Sequence, residues 1–264
     1  MSNKTEKNKV DRLFKESKQD LFPFKFNQSV VDVFPDMINR SVPGYTTIVD
    51  GIGRVSRRFT DTSSRVYDLG CSLGNVSLSI AKYNVGKALT IEAIDNSPAM
   101  VTRCKEHVGA YNYDAFIQVQ HADITALEFQ ACSLVVINFT LQFINPSLRQ
   151  AIIDKIYASL EPGGALILSE KISASSDSMD SLLIDLHHEF KRENGYSDLE
   201  ISQKRTALEN VMILDTLKQH KQRLEQAGFE HPSVWFQHFN FMSLIAIKQD
   251  IANDLLNAPQ LTES

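Results

Sequence analysis

Residues 65–74 read Arg65-Val66-Tyr67-Asp68-Leu69-Gly70-Cys71-Ser72-Leu73-Gly74, a short β-branched run that turns at once into a glycine loop. Roughly twenty residues on, a second apolar run, Leu89-Thr90-Ile91-Glu92-Ala93-Ile94, ends in Asp95-Asn96. Strand, tight turn, helix, strand is the opening of a parallel α/β sheet that grips a nucleoside. The turn lets the backbone approach the ligand, and the acid ending the next strand accepts from ribose hydroxyls. The loop is Gly-x-x-x-Gly, and Ser72 stands where dinucleotide binders place a second glycine. That glycine exists to admit a pyrophosphate. Its absence argues against a dehydrogenase and for a ligand without a pyrophosphate, of which S-adenosylmethionine is the common case.

The alternation continues downstream. Strands are predicted at 65–69, 89–94, 115–120, 133–138 and 164–169, with helices near 74–83, 97–110 and 147–160. Ser97-Pro98 opens one helix with an N-cap and a proline in the first turn. Pro162-Gly163-Gly164 is expected to stop another. This spacing predicts a parallel, doubly wound sheet. Residues 177–227 lack strand signals and read as a helical insertion. Val234–Phe239 and Ser243–Lys248 read as a terminal β-hairpin across Asn240-Phe241-Met242. Ahead of the sheet, residues 29–52 have near-helical apolar spacing broken by Pro35 and Pro43, as for short helices packed into a lid.

A chain of 264 residues, 43% hydrophobic, can bury one large α/β domain or two small ones. The net charge of −5 argues mildly against a nucleic-acid-tracking surface. Three cysteines, Cys71, Cys104 and Cys132, have no Cys-x-x-Cys spacing, so neither a disulfide framework nor a metal site is expected. The polar start of the chain is no secretory signal, and no run is long and apolar enough to span a bilayer. The expectation is a cytoplasmic protein away from membranes.

Several residues could carry chemistry. Asp68 ends the first strand and can accept from a ligand amine or a loop amide. Gly70, Cys71 and Ser72 offer backbone with little side chain in the way. The competing reading is a tight turn with no ligand. Asp95 is placed for ribose and Asn96 for adenine, although Asp95-Asn96-Ser97-Pro98 also suits a capping cluster. Asp123 follows the third strand and can accept from the adenine amine, with Ile124 packing on the ring; an ordinary loop aspartate fits too. Asn138 lies at the carboxyl end of the fourth strand, over the place where a reacting group would sit, or simply caps that strand. His187-His188, Lys191-Arg192 and Lys204-Arg205 read by themselves as packing residues or a solvated helix face. No Ser-His-Asp order, Walker loop or His-Glu-x-x-His motif is present, so hydrolase chemistry has no support.

Longer stretches add to this. Val33-Phe34-Pro35-Asp36-Met37-Ile38, Arg40-Ser41-Val42-Pro43-Gly44-Tyr45, the glycine loop, Ile94-Asp95-Asn96-Ser97-Pro98-Ala99-Met100 and Asn138-Phe139-Thr140-Leu141-Gln142-Phe143 resemble the bacterial carboxy-S-adenosyl-L-methionine synthases. Asn194-Gly195-Tyr196-Ser197, followed by Glu200-Ile201-Ser202-Gln203-Lys204-Arg205 and Leu208-Glu209-Asn210-Val211-Met212, is the most specific match. The resemblance runs from about Phe26 to Lys248. It implies a Rossmann-like class I S-adenosylmethionine-dependent methyltransferase fold, α/β with seven strands, in one domain over 26–250. Tails at 1–25 and 251–264 flank it.

The resemblance further implies conversion of S-adenosyl-L-methionine and prephenate to carboxy-S-adenosyl-L-methionine and phenylpyruvate, without a metal. A separate enzyme then uses the product to carboxymethylate a wobble uridine of tRNA, so this chain need not bind nucleic acid. By resemblance, Tyr45 closes over the ligand, Gly70, Cys71 and Ser72 hold its amino-acid part, and Asp95 and Asn96 meet ribose and adenine. Asp123 and Ile124 flank the adenine, Asn138 lies near the transferred group, and Arg205 pairs with the new carboxylate. A guanidinium suits that last task, being permanently charged and bidentate. The size of the insertion suggests a homodimer, with Arg205 acting either in its own pocket or in a neighbouring subunit's. The rival readings are a conventional methyltransferase acting on a small molecule or RNA, and a nucleoside-binding scaffold without turnover.

Overall fold

The computed structural model describes residues 10–16, 26–209 and 211–250. The expected tail at 251–264 and most of that at 1–25 lie outside the described residues. Within the first tail, residues 10–16 are described, and Asp11 is buried.

Three short helices come first: α1 (Gln28–Val31), α2 (Phe34–Ser41) and α3 (Tyr45–Ser56). Pro35 does not break this segment. It sits in the first turn of α2, where a missing amide loses no intrahelical bond. Pro43 lies between α2 and α3, as its break predicts.

The alternating part follows as β1 (Arg65–Leu69), α4 (Asn75–Tyr83), β2 (Thr90–Asp95), α5 (Pro98–Gly109), β3 (Phe116–His121), β4 (Cys132–Asn138), α6 (Pro146–Ser159) and β5 (Leu160–Lys171). Then come α7 (Asp177–Glu193), α8 (Asp198–Glu209), α9 (Leu217–Ala227), β6 (Glu230–His238) and β7 (Phe241–Ile247). The seven strands lie in the order β3-β2-β1-β4-β5-β7-β6. β1 to β5 pair in parallel, and β7 runs antiparallel to both of its neighbours. The chain winds outward from β1 to β3 and returns to β4, so the strand order reverses between β1 and β4 and opens a crevice at their carboxyl ends.

β4 and the stretch of β5 from Ala165 to Leu168 are buried on both faces, which is why their sequences are almost continuously apolar. One core forms on the side of α6 and α9 around Ile137, Ile153, Leu168 and Leu224. The other forms on the side of α3 and α4 around Ile48, Ile80, Val136 and Ile167. α9 therefore packs on the sheet like α6, whereas α7 and α8 stand over its carboxyl edge.

Two boundaries differ from expectation. α6 ends at Ser159, and Pro162-Gly163-Gly164 lies within β5. Gly163 donates to Lys248 O and Lys248 donates to Gly164 O, so this stretch is held by pairing to the residue that follows β7. The hairpin turns at Phe239-Asn240, with Phe239 at φ +52, because Phe241 and Met242 are needed in β7 opposite Lys171 and Glu170.

Candidate active site

The glycine loop is shaped by contacts that exclude larger residues. Gly70 has φ +78, and a Cβ there would lie 2.1 Å from Thr140 Oγ1. Gly74 has φ +80 and would meet Cys104 Sγ at 2.9 Å. Three successive amides of the loop are already used. Gly70 and Cys71 both donate to Ile94 O, at 2.8 and 2.9 Å, and Ser72 donates to Asp95 Oδ2 at 2.9 Å. The amides of Gly70, Cys71 and Ser72 are therefore not free to cradle a phosphate. What the loop offers a ligand is carbonyl oxygen, which suits an ammonium group.

Asp95 joins this loop to α5. Its other oxygen accepts from Ser97 N at 2.9 Å, while Ser97 Oγ accepts from Met100 N as the N-cap and donates to Phe26 O at 2.6 Å. Capping and ligand binding are thus compatible at Asp95, because each carboxylate oxygen has a second lone pair. Burial raises its pKa above the usual carboxylate range, against the pull of the Ser97 and Ser72 amides. Asp68 is more deeply buried. It accepts from the amide and hydroxyl of Ser77 in α4, at 3.1 and 2.6 Å, not from the loop. Burial pushes it up to about 6.

These elements border a cavity of about 240 Å³ at the carboxyl ends of the strands. Tyr45, Gly70, Cys71, Ser72, Asp95, Asn96, Asp123, Ile124 and Asn138 all line it. Tyr45 is the first residue of α3, and its hydroxyl accepts from Asn75 at 3.3 Å. Burial raises that hydroxyl to about 12, so it stays protonated. Asp123 also caps its own turn through Thr125. Asn138 Oδ1 is buried and has no hydrogen-bond partner among the described residues. An orphaned acceptor in a cavity wall is costly unless a ligand satisfies it.

Arg205 is not in this set. It is exposed on α8, outside the cavity lining. Its charge is nevertheless felt there, helping to lower Lys171, His188 and Lys191.

Of the residues read as packing or solvated surface, Arg192 and Arg205 are exposed and His188 is half-buried, whereas His187 packs inside and Lys191 and Lys204 turn inward rather than to solvent. His187, Lys191 and Lys204 are buried and line the cavity together with Lys171 at the end of β5. His187 Nε2 meets Ser41 O at 2.8 Å, and its ring packs edge-on against Phe241. Lys204 Nζ donates to Ser41 Oγ at 2.9 Å and lies 3.6 Å from Asp11. Burial lowers Lys171 to about 8, Lys204 to about 8, Lys191 to about 7 and His187 to about 2. The sequence signal was a stripe rather than a motif. Asp180, Ile184, His187 and Lys191 follow helical spacing on one face of α7.

The roof over the cavity is a polar seam. Tyr196 donates to Asp11 Oδ2 at 2.6 Å, and the Arg40 guanidinium lies 4.0 Å above the Tyr196 ring. Arg40 Nε also donates to Asn194 O at 2.6 Å. Residues from the start of the chain, α2, α7 and α8 are thereby joined.

Lys191 is a cation buried against its own stability. Its amine falls from 10.5 in the open chain to about 7 in the fold. The cost is therefore complete below about pH 7 and disappears as pH rises toward 10.5. Lys191→Met is expected to stabilise the fold near neutral pH by about 1–4 kcal/mol. Denaturant titration at pH 7 and pH 10 checks this, with the gain shrinking at the higher pH. Equal gains at both would contradict it.

The sheet order, the crevice at its switch point and the glycine loop after β1 define the Rossmann-like class I fold of S-adenosylmethionine-dependent methyltransferases. A family profile described as Methyltransferase domain matches residues 66–164. An O-methyltransferase family protein from Burkholderia thailandensis superposes with a TM-score of 0.60 at 16% identity, covering 88% of this chain and 65% of that one. Human N-acetylserotonin methyltransferase, solved with S-adenosylmethionine, gives a TM-score of 0.56 at 15% identity, covering 84% and 55%. Within that class the chain belongs to the carboxy-S-adenosyl-L-methionine synthases. It is 53% identical over 239 residues to the protein of that name from Colwellia psychrerythraea, covering 90% of this chain and 98% of the relative. The Photorhabdus laumondii protein of the same name is 50% identical over 248 residues, covering 94% and 98%.

Proposed function

We propose that the chain takes a carboxyl group from prephenate and places it on the methyl carbon of S-adenosylmethionine. Asp95 and Asn96 hold ribose and adenine, Asp123 and Ile124 flank the base, and the carbonyl-rich loop at Gly70, Cys71 and Ser72 takes the methionyl ammonium. Tyr45 closes over the ligand. The observation that carries the reading is the orphaned Asn138 Oδ1, at a strand end between the nucleoside wall on β1, β2 and β3 and the basic wall on β5 and α7. Methyl transfer needs only a nucleophile in line with the sulfonium. The basic wall beyond Asn138 supports an acidic second substrate.

The chemistry balances. Prephenate dianion yields phenylpyruvate anion, CO₂ and hydroxide. The hydroxide removes a proton from the S-methyl group, giving water and a sulfonium ylide, whose carbon attacks CO₂ to form the new C–C bond. No side chain has to be a strong base. Water must be kept out, since it would quench the ylide. The buried seam of Asp11, Tyr196, Ser41 and Lys204 supports that role for the roof.

We also propose that the chain works as a homodimer. Met179, Leu182 and Leu199 are exposed apolar residues on α7 and α8, the same helices that carry the roof. Arg205, exposed on α8, then meets the new carboxylate in a neighbouring copy's pocket. The product passes to a separate tRNA-carboxymethylating enzyme in the cytoplasm. Among the described residues no helix is long and apolar enough to cross a membrane.

Mass spectrometry of the small molecules made by purified protein from S-adenosylmethionine and prephenate tests the reaction. The expected product is a sulfonium heavier than S-adenosylmethionine by one CO₂, formed only when prephenate is present. S-adenosylhomocysteine alone, unaffected by prephenate, would point to ordinary methyl transfer instead.

A further inference from the structure

A cavity that holds a sulfonium is a poor place for buried ammonium groups. Both are cations, and each uncompensated buried charge is costly. Lys171 and Lys191 nevertheless line it, and no hydrogen bond or ion pair ties either ammonium to a carboxylate among the described residues. The charges that bear on Lys191 are those of Lys204, Lys171 and Arg205, all positive. Lys171 feels Asp180 at a distance, but Asp180 is occupied in accepting from Ala174 N. Lys204 differs, being held by Ser41 and Asp11.

The methionyl carboxylate of the first substrate is one anion that could answer these charges. Its expected place argues otherwise. The loop at Gly70 leaves β1, while Lys171 ends β5, and β4 lies between them. Two strand spacings separate these ends by roughly 10 Å. On the proposed reading the nucleoside and amino-acid part lie over β1 and β2, with Asn138 at the end of β4, Lys171 at the end of β5 against the Phe241 ring, and Lys191 on α7.

Resting on the reaction proposed above, we infer that Lys171 and Lys191 form the receptor for the carboxylates of the second substrate, a small organic dianion. The pair fixes that molecule on the far side of Asn138 from the nucleoside, so that CO₂ is released facing the S-methyl carbon. Neither lysine is a proton carrier in this account; both are specificity determinants.

Titration calorimetry with S-adenosylhomocysteine present tests this, because that ligand has no methyl group and permits binding without turnover. The proteins are wild type, Lys171→Met and Lys191→Met, and the titrant is prephenate. Prephenate affinity is expected to fall at least roughly 30-fold in each variant, with S-adenosylhomocysteine affinity unchanged. Unaltered prephenate binding in both variants overturns the inference. So does a loss confined to S-adenosylhomocysteine, which would assign the lysines to the methionyl carboxylate. In either case wild type still makes the carboxylated sulfonium and the proposed reaction stands. If wild type neither binds prephenate nor makes that product, the reaction fails and the receptor falls with it. Lys191→Met removes a buried cation and should raise thermal stability. Lys171 is half-buried with its ammonium 5.7 Å from the Phe241 ring centroid, and for Lys171→Met unchanged S-adenosylhomocysteine affinity is the control that the fold is intact.

Discussion

Replacing Asp95 by Ala is expected to lower S-adenosylmethionine affinity at least about 100-fold, the loss of two charge-assisted hydrogen bonds. Asp95 has two tasks in one carboxylate. It fixes Ser72 N and Ser97 N, and on the proposed reading it accepts both ribose hydroxyls. Alanine removes both, so the glycine loop loses its anchor as well as the ligand losing its ribose contact. Asparagine separates the tasks, because its amide can still accept at one oxygen but presents donors at the other position. Calorimetric titration of all three proteins should give an ordered loss, with Asn between wild type and Ala. An Ala variant that binds within a few fold of wild type would remove Asp95 from the site.

The second large effect concerns Arg205. Arg205→Ala is expected to reduce formation of the carboxylated sulfonium by roughly 100-fold or more while leaving S-adenosylmethionine binding intact. Turnover close to wild type would show that the proposed role is wrong. Its exposed position allows a sharper test. Neither Asp95→Ala nor Arg205→Ala should be active alone. A mixed dimer of the two contains one pocket with an intact Asp95, from the Arg205→Ala chain. If Arg205 reaches across, that pocket receives its guanidinium from the Asp95→Ala chain and activity returns on mixing. Lack of recovery in verified mixed dimers would keep Arg205 within its own subunit.

The legible parts of the fold are those decided locally. A β-branched run before a glycine loop, Ser97-Pro98 as a helix start and the apolar run Leu134–Ile137 each carry their own structural instruction. The sheet followed because these instructions agree with one another. Boundaries set by pairing were less legible. Pro162-Gly163-Gly164 reads as a helix stop, yet it runs inside β5 because Lys248 comes back to bond it. The site divides along the same line. Residues at strand ends, such as Asp95 and Asn138, are placed by the sheet and can be found from sequence. Lys191, Lys204 and His187 face inward only because α2 and residue 11, far away in the chain, build the other half of the roof. Charged residues on a helix ordinarily signal solvent, and the stripe of Asp180, Ile184, His187 and Lys191 on α7 does not by itself tell a helix that roofs a cavity from one that faces water.

That roof is sewn at its seam by Asp11 and Tyr196, residues 185 positions apart. On the proposed reaction, the intermediate held beneath it is a dissolved gas with no charge to restrain it. The enzyme's fidelity is then a race between carbon–carbon bond formation and escape of CO₂. Its natural measure is the ratio of phenylpyruvate released to carboxylated product formed. A ratio of unity means a sealed chamber, and any excess of phenylpyruvate counts the turnovers in which the seam let the gas go.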